Sequence, residues 1–401
     1  MDARDEVVLP GFIDMHVHVK NERQLELFLK YGVTSIRDLG NNLRRIKSMS
    51  LRVKANRLIG PRIFYAGPLI DSVPERVRRN EFFPKMNIVV RDEKQAARVA
   101  NRLMKQDVDC LKVYQNMRED MIRAVVKAAK KKGIPVAAHS GIGSTIGQAV
   151  RAGITTVEHV HRMATELAPK VAKKPGITGP YSMMHPWACV DLRSPEVRNL
   201  IQAISERRAY LDPTLTVIDK MGRTNDADLL GDPDYALLDP VEASGWKDDN
   251  KAFLENVHEE DFQEARFALK VAQGFVGRAF RSKVRILAGS DNGMPYSIAG
   301  KSLHEEMKLL SECGMPNIDV IRAATVNAAS ALNAESELGS VEEGKFADLV
   351  ILKANPLDDI RNTLQISRVI KDGKIFDPSL VRLRSKLDIN RAPQEQATGH
   401  T

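Results

Sequence analysis

The sequence lacks a long hydrophobic run, a leader-like start and paired cysteines. No apolar stretch in its 401 residues approaches the roughly 18 to 20 residues that a membrane-spanning helix needs. The start, MDARDEVVLP, does not have the basic-then-apolar pattern of a secretory signal. Cys110, Cys189 and Cys313 are widely spaced and form no CxxC pair, which argues against a disulfide framework and favours buried, reduced thiols. Together these absences predict a cytoplasmic protein without a membrane partner.

Aromatic residues are also scarce, at 5% of the chain, whereas basic residues are in excess. The formal net charge is +8, and basic runs such as RVRR (76–79) and KAAKKK (127–132) are scattered along the chain. Scattered runs with few aromatics for base stacking are typical of solvated helix faces, so we expect no nucleic-acid partner. The positive balance would help to attract a carboxylate-bearing small molecule.

Short segments rich in β-branched residues alternate with longer amphipathic segments over residues 9–335. Regular alternation of this kind predicts parallel strands joined by right-handed helical crossovers. No nucleotide-binding glycine fingerprint follows the first strand, and eight units favour a closed (β/α)8 barrel, the TIM barrel, over an open sheet. The predicted strands are GFIDMHVHV, VTSIRDL, RIFYAG, CLKVY, IPVAAHS, TTVEHV, YLDPTLTV and VRILAGSD. Longer insertions after the third, sixth and seventh strands are expected to form the walls of a pocket.

The sequence changes character after the barrel. Residues 336–378, together with residues 1–8, are predicted to form a small C-terminal β-domain, in which ISRVIKDGKIFD reads as a hairpin with an Asp-Gly turn. Residues 379–401 are polar and are expected to form a disordered tail.

Six residues near the ends of the predicted strands could form a metal site. In a strand, residues two apart point to one face, so His16 and His18 converge at the mouth of the barrel. Imidazoles suit a borderline divalent metal such as zinc. The further candidates end separate strands: Lys112, His139, His159 and Asp291. Each has an ordinary alternative, as a satisfied core histidine, a surface lysine or a helix-capping aspartate.

Lys112 raises a particular problem, because an ammonium group among metal ligands would repel cations. Desolvation disfavours its protonated form, and a neutral amine can add carbon dioxide to become an anionic carbamate. Such a group can bridge two metals about 3.5 to 4 Å apart. The alternative is a lysine that snorkels to solvent from the end of the strand.

The chain resembles the amidohydrolase superfamily, in particular its imidazolonepropionase-like and prolidase-like (Xaa-dipeptidase) branch. The motifs that carry the resemblance are VVLPGFIDMHVH, YGVTSIRDLG, DCLKVY, AVRAGITTVEHV, LAGSD and ATVNAASALN with LGSVEEGKFADLVILKANPLDDI. The resemblance implies two divalent metals, most plausibly zinc, a carbamate on Lys112 that bridges them together with a hydroxide, and Asp291 as general base and acid. It implies that His16, His18 and Asp291 hold the more buried metal, and that His139 and His159 hold the more exposed one.

The chain departs from the family pattern in two places. Relatives usually begin with several strands that complete a small β-sandwich, so we expect a truncated N-terminus here, an incomplete sandwich and a tendency to form homo-oligomers. His161 lies two residues after His159 and would share its face in a strand, which makes it an alternative ligand. Tyr114, His185 and Arg37 are possible contacts for the substrate.

The sequence therefore predicts a binuclear zinc hydrolase that cleaves an amide bond of a small molecule, a dipeptide or an N-acyl amino acid. One alternative keeps the fold but uses one metal for a cyclic amide or a deamination. A lactone or phosphotriester could be hydrolysed at the same two-metal site. A non-catalytic binding barrel is the remaining alternative, which the full set of ligands disfavours.

Overall fold

The computed structural model describes residues 3–72, 86–139, 141–169, 171, 184–246 and 257–381. Its strands are β1 (Val7–Pro10), β2 (Phe12–Val17), β3 (Val33–Asp38), β4 (Arg62–Tyr65), β5 (Leu69–Asp71), β6 (Asn87–Val89), β7 (Leu111–Val113), β8 (Val136–Ala138), β9 (Thr156–Glu158), β10 (Tyr210–Asp212), β11 (Arg285–Ile286), β12 (Leu349–Leu352), β13 (Ile366–Lys371) and β14 (Lys374–Phe376).

Two parallel sheets make up the main body. One has the order β2-β3-β4, and the other has the order β11-β10-β9-β8-β7-β5-β6. At one junction, the backbone N–H of Met15 in β2 donates to the carbonyl of Ala288, just after β11, over 3.0 Å. At the other, the N–H of Asp109 donates to the carbonyl of Tyr65 in β4, also over 3.0 Å. This cyclic strand order confirms the predicted TIM-barrel fold.

Helices connect the strands and pack around them. They include α1 (Arg23–Lys30), α2 (Leu43–Lys54), α3 (Glu93–Met104), α4 (Glu119–Lys130), α5 (Ile146–Ala152), α6 (Ala164–Leu167), α7 (His185–Ala188), α8 (Pro195–Glu206), α9 (Leu215–Met221), α10 (Ala227–Leu230), α11 (Glu259–Arg281), α12 (Lys301–Glu312), α13 (Asn317–Ala323) and α14 (Val326–Ala331). Of the helices described, none is both long enough and apolar enough to cross a bilayer.

Local signals in the sequence explain where these helices begin and end. The Thr145 side chain accepts from the backbone of Gln148, and the Gln148 side chain accepts from the backbone of Thr145, so a capping box begins α5. Gly153 ends α5 with φ = 97°, the left-handed geometry that glycine adopts without steric cost.

A separate antiparallel sheet has the order β1-β12-β13-β14. Asp372 (φ = 50°) and Gly373 (φ = 74°) form the turn between β13 and β14, and both signs match the type I′ hairpin predicted from Asp-Gly. β1 extends past the predicted boundary at residue 9, because Leu9 and Pro10 pair with Val350 and Leu349. The N-terminal segment therefore covers one edge of β12.

Some features differ from the sequence prediction. β5 and β6 were not predicted, and both are only three residues long, too short to show a period. Cys189 is exposed, unlike the buried Cys110 and Cys313, so the expectation of three buried thiols was wrong. Most of the third-strand insertion, parts of the other two insertions and residues 382–401 of the predicted tail lie outside the described residues.

Candidate metal centre

His16 and His18 both lie at the mouth end of β2, with rings whose centroids are 5.4 Å apart. The Nδ1 atom of His16 lies 2.8 Å from a Glu158 carboxylate oxygen, and Nδ1 of His18 lies 3.1 Å from the carbonyl oxygen of Gly40. These oxygens only accept, so each Nδ1 carries the proton and each lone pair is on Nε2. Both imidazoles are therefore in the tautomer that can bind a metal through Nε2.

Asp291 faces both of these Nε2 atoms. Its Oδ1 atom lies 3.7 Å from Nε2 of His16 and 3.5 Å from Nε2 of His18. Its Oδ2 atom lies 3.7 Å from Nδ1 of His159. Asp291 has φ = 51°, which turns its carboxylate back toward the barrel axis. The Asp291 carboxylate thus lies within 4 Å of imidazole nitrogens from two different strand ends, β2 and β9.

His139 and His159 follow β8 and β9, and their ring centroids are 4.4 Å apart. The ring of His159 also lies 4.4 Å from that of His16, so the strand-end histidines form one continuous group. Thr214 holds His159 through a 2.9 Å hydrogen bond between Oγ1 and Nδ1. Lys112, in β7, is 1% exposed and points its ammonium group into the same interior.

The site contains several buried nitrogens that find no hydrogen-bond partner among the described residues. They are Nε2 of His16, Nζ of Lys112 and Nε2 of His139. Buried polar atoms of this kind are rare, because each costs desolvation energy without return. We refer to His16, His18, Lys112, His139, His159 and Asp291 as the histidine layer.

Burial shifts the pKa values of the histidine layer toward the neutral forms. Desolvation, helped by the positive charge of Lys112, lowers the pKa of His16 and of His139 well below the ordinary value. Desolvation also lowers the pKa of Lys112 to about 8, against the pull of Glu158. Desolvation raises the pKa of Asp291 to about 7, although the charge of Lys112 opposes the rise. Neutral imidazoles and an amine that loses its proton easily are the forms that a metal site requires.

His161 lies on a 3-10 turn, Val160–Arg162, and not on a strand. β9 ends at Glu158, and His159 has φ = 65°, so the expectation that His159 and His161 share a strand face was wrong. The two rings are nevertheless 4.9 Å apart. His161 therefore stays close to the site as an alternative ligand, in a position that strand alternation does not explain.

Arg37 lies beneath the histidine layer with its guanidinium inside the barrel. It donates to the carbonyl of Met15 (2.6 Å), to Oγ1 of Thr156 (3.0 Å), to Glu158 (2.9 Å) and to Asp212 (3.3 Å). At 1% exposure, it is held by the protein itself, which corrects its assignment as a substrate contact. We refer to Arg37, Thr156, Glu158 and Asp212 as the charged layer.

Two residues that position the histidine layer, Glu158 and Asp14, were not predicted from the sequence. Burial alone would raise the pKa of Glu158, but the charges of Arg37 and Lys112 hold that pKa below its ordinary value, so its carboxylate stays ionised against His16. Asp14 accepts hydrogen bonds from the Ser290 backbone (2.9 Å) and hydroxyl (2.6 Å), which ties β2 to the turn that carries Asp291. Both lie one or two residues from a predicted ligand, which was the available signal.

A glycine allows this close approach. A Cβ atom at Gly289 would lie 2.5 Å from a carboxylate oxygen of Asp212 and 2.8 Å from Cβ of His16. Neither neighbour is a flexible chain end, so the glycine of LAGSD is required for β2, β10 and the segment after β11 to converge.

The remaining two predicted contacts differ from each other. Tyr114 follows β7 and packs its ring 4.9 Å from His139, beside the histidine layer. His185, at the start of α7, lies 2.5 Å from Glu264 of α11. That ion pair ties two helices together, and no described contact joins His185 to the histidine layer.

The histidine layer fits divalent metal ions by the chemistry of its donors. Donor atoms of His16, His159 and Asp291 lie within 4.8 Å of one another, and so do those of His16, Glu158 and Asp212. The second group is bonded to Arg37, so it supports the site, whereas the first faces the open nitrogens. Imidazole nitrogens with a carboxylate oxygen are a typical donor set for zinc.

The profile of the amidohydrolase family matches residues 7–376. The chain belongs to the amidohydrolase family. The match includes every residue of both layers and the strands of the antiparallel sheet, so the family resemblance read from the sequence is confirmed.

Individual relatives match shorter stretches of the chain. Ochratoxinase from Aspergillus niger is 32% identical over 112 residues, which are 27% of this chain and 22% of that protein. Imidazolonepropionase from Symbiobacterium thermophilum is 35% identical over 95 residues, which are 23% of this chain and 20% of that protein. This chain thus matches only about a fifth of the length of either relative.

Solved structures share the fold over most of the chain. A Xaa-Pro dipeptidase crystallised with methionine in its active site superposes with a TM-score of 0.66 at 24% identity, covering 94% of this chain and 88% of that one. The bottromycin amidohydrolase superposes with a TM-score of 0.73 at 21% identity, covering 94% and 78%. At these identities the likeness shows the fold alone.

Proposed function

We propose that this protein is a metal-dependent hydrolase that cleaves an amide bond of a small molecule, a dipeptide or an N-acyl amino acid. The observation that carries the proposal is the convergence of the histidine layer from separate strands, with buried nitrogens that have no hydrogen-bond partner among the residues described. The dipeptidase among the similar structures supports a dipeptide as the substrate.

His16, His18 and Asp291 would hold one ion, and His139 and His159 would hold the other. Lys112 would bridge the two ions as a carbamate, because burial lowers its pKa to about 8 and makes the neutral amine accessible to carbon dioxide. When bound, a pair of zinc ions supplies an activated water and polarises the scissile carbonyl.

Asp291 is positioned to act as general base and then as general acid. Its carboxylate reaches the centre of the histidine layer, where it would take a proton from the attacking water and deliver it to the leaving amine. In the metal-free protein burial raises its pKa to about 7, and a bound cation would favour the ionised carboxylate that accepts the proton. Glu158 would keep His16 in its Nε2 lone-pair tautomer throughout.

A second candidate function uses one metal, with Lys112 idle, to open a cyclic amide or to deaminate. The observation that favours it is the compact group of His16, His159 and Asp291, whose atoms can surround a single ion. A deaminase and an imidazolonepropionase among the relatives point the same way.

The two candidates are separated by counting metals and testing substrates together. Zinc-loaded protein is assayed against dipeptides, N-acyl amino acids, cyclic amides and aminopurines, and its zinc is counted in the wild type and in Lys112→Ala. The binuclear proposal expects about two zinc ions per chain, fewer in Lys112→Ala, and turnover of linear amides. One zinc per chain in both proteins, with turnover of cyclic substrates only, selects the second candidate.

A further inference from the structure

Arg162 lies beside the histidine layer, and the part of the chain that the structure describes provides no ion pair for this half-buried arginine. It ends the 3-10 turn that begins just after His159. Its Nε atom is buried and finds no hydrogen-bond partner within the described ranges. Arg37, in contrast, uses every nitrogen of its guanidinium in the barrel. Burying a guanidinium nitrogen without a partner costs desolvation free energy. An anion bound from solvent would offset that cost.

The loops after β7, β8 and β9 form one wall around Arg162. The backbone of Gln115 accepts from the N–H groups of Ile142 (3.2 Å) and Gly143 (2.8 Å), which holds the first two loops together. Gly141, with φ = 131°, lies against the Arg162 stem, and a Cβ atom there would be 3.3 Å from Cβ of Arg162. The wall thus fixes the direction of the arginine side chain.

Tyr114 stands on the same wall. Its ring packs 4.9 Å from His139, and the ring of His139 lies 5.7 Å from that of His161. Arg162 directly follows His161 in the chain, so its side chain begins beside this pair of rings. The phenol of Tyr114 is a hydrogen-bond donor at neutral pH.

We infer that Arg162, assisted by the Tyr114 hydroxyl, binds a carboxylate of the substrate beside the histidine layer. The inference rests on the proposed function, because it names the feature of the amide substrate that this chain selects. A guanidinium fork matches two carboxylate oxygens, and a phenol adds a third donor. The positive net charge alone does not say which residue would bind the carboxylate. Arg162 is the candidate because its buried Nε has no partner among the described residues.

Binding of a non-hydrolysable probe tests this inference without relying on turnover. The zinc-loaded full chain is titrated calorimetrically with 4-methylpentanoate and with 5-methylhexan-2-one, a neutral ketone of the same shape. Arg162→Met should weaken binding of the carboxylate by about 10- to 100-fold and leave the ketone unchanged. Arg162→Lys, which keeps the charge but not the fork, should fall between, and Tyr114→Phe should lose a smaller factor.

Arg207→Met is the matched control, since Arg207 is exposed at the end of α8. Zinc content should be equal in all variants. The inference is overturned if Arg162→Met binds the carboxylate like the wild type, because the probe then sits on the metals alone. It is also overturned if Arg162→Met weakens binding of the ketone as much as binding of the carboxylate, which would mean a general structural defect. If Arg162→Met does not fold, Arg162→Lys decides by the same comparison.

The outcome is independent of the substrate panel. Arg162-dependent binding of the carboxylate without turnover of any amide would contradict the proposed function and leave the anion site standing. Turnover of linear amides with equal preference for C-terminal acids and C-terminal amides would contradict the anion site and leave the hydrolase standing.

Discussion

The barrel interior contains two polar layers: the charged layer is fully buried, the histidine layer is slightly more open at His18, and the two differ in how their atoms are paired. In the charged layer, each guanidinium nitrogen of Arg37 and each oxygen of Glu158 has a protein partner. In the histidine layer, one nitrogen each of His16, Lys112 and His139 has none among the residues described. Within the described residues, Oδ1 of Asp212 is the one side-chain atom of the charged layer that also lacks a partner, so the contrast is one of degree.

We interpret the charged layer as structural support and the histidine layer as the functional site. The charged layer is bonded within itself and offers little to a ligand, whereas the histidine layer keeps lone pairs directed at a common centre. A side-chain hydrogen bond between the layers joins His16 to Glu158, so the charged layer also sets the tautomer of a proposed metal ligand. Substitutions in the two layers should therefore have different effects on activity, stability and metal binding.

Asp291→Asn should abolish most of the activity while keeping the fold. The amide retains the shape but cannot accept the proton of the attacking water, so kcat on the best amide of the panel should fall by about 10²- to 10⁴-fold. Asp107→Asn, at a side chain 81% exposed, is the control and should be silent. Near wild-type kcat in Asp291→Asn would remove this carboxylate from the chemistry.

Arg37→Met should act on stability and not on metal chemistry directly. It leaves Glu158 and Asp212 as buried carboxylates without their cation, which should lower the free energy of unfolding by about 3–5 kcal/mol. Urea unfolding of the zinc-free protein measures it, with Arg207→Met expected to change by less than about 0.5 kcal/mol. If Arg37→Met were as stable as wild type but failed to bind substrate, Arg37 would belong to the pocket after all.

Glu158→Gln should weaken zinc binding without removing a ligand. The amide no longer fixes the proton on Nδ1 of His16 as a carboxylate does, and the loss should be about 10- to 100-fold in zinc affinity. Competition with a chelator measures it, and Glu312→Gln on α12, remote from both layers, serves as the control. Unchanged affinity would show that the two layers are not coupled.

The pH dependence of zinc loading should reveal Lys112. With its pKa lowered to about 8, the neutral amine fraction rises roughly 25-fold between pH 6.5 and 8.5. Since only the neutral amine forms a carbamate, loading of the second zinc in bicarbonate should rise over this window in the wild type. Lys112→Ala should show no such rise, and an equal rise in both proteins would exclude the carbamate as its cause.

Much of the histidine layer could be predicted because strand periodicity is local. His16 and His18 converge through simple alternation at the end of β2. The other proposed ligands lie in a strand (Lys112), directly after one (His139 and His159) or a few residues after one (Asp291), and the apolar runs of these strands are visible in the sequence. Glu158 and Asp212 were present in the same motifs, but their partner Arg37 comes from a distant strand. Pairing across a barrel depends on register, which one sequence does not specify.

The turns at the barrel mouth were harder to predict. His159 and Asp291 have positive φ values and His161 lies on a 3-10 turn. Aspartate and histidine tolerate positive φ better than most residues, but tertiary packing decides which of them adopt it. Arg162 was missed for this reason. The location in the cell, the oligomeric state and the metal identity stay predictions.

X-ray absorption spectroscopy of the zinc-loaded protein tests most directly whether the histidine layer is a metal centre. We expect nitrogen and oxygen scatterers at about 2.0–2.1 Å with imidazole multiple scattering. We also expect a zinc–zinc vector at about 3.5–4 Å that disappears in Lys112→Ala. A spectrum of hydrated zinc without imidazole, or a spectrum that is identical in Lys112→Ala, would contradict a two-metal centre in the histidine layer.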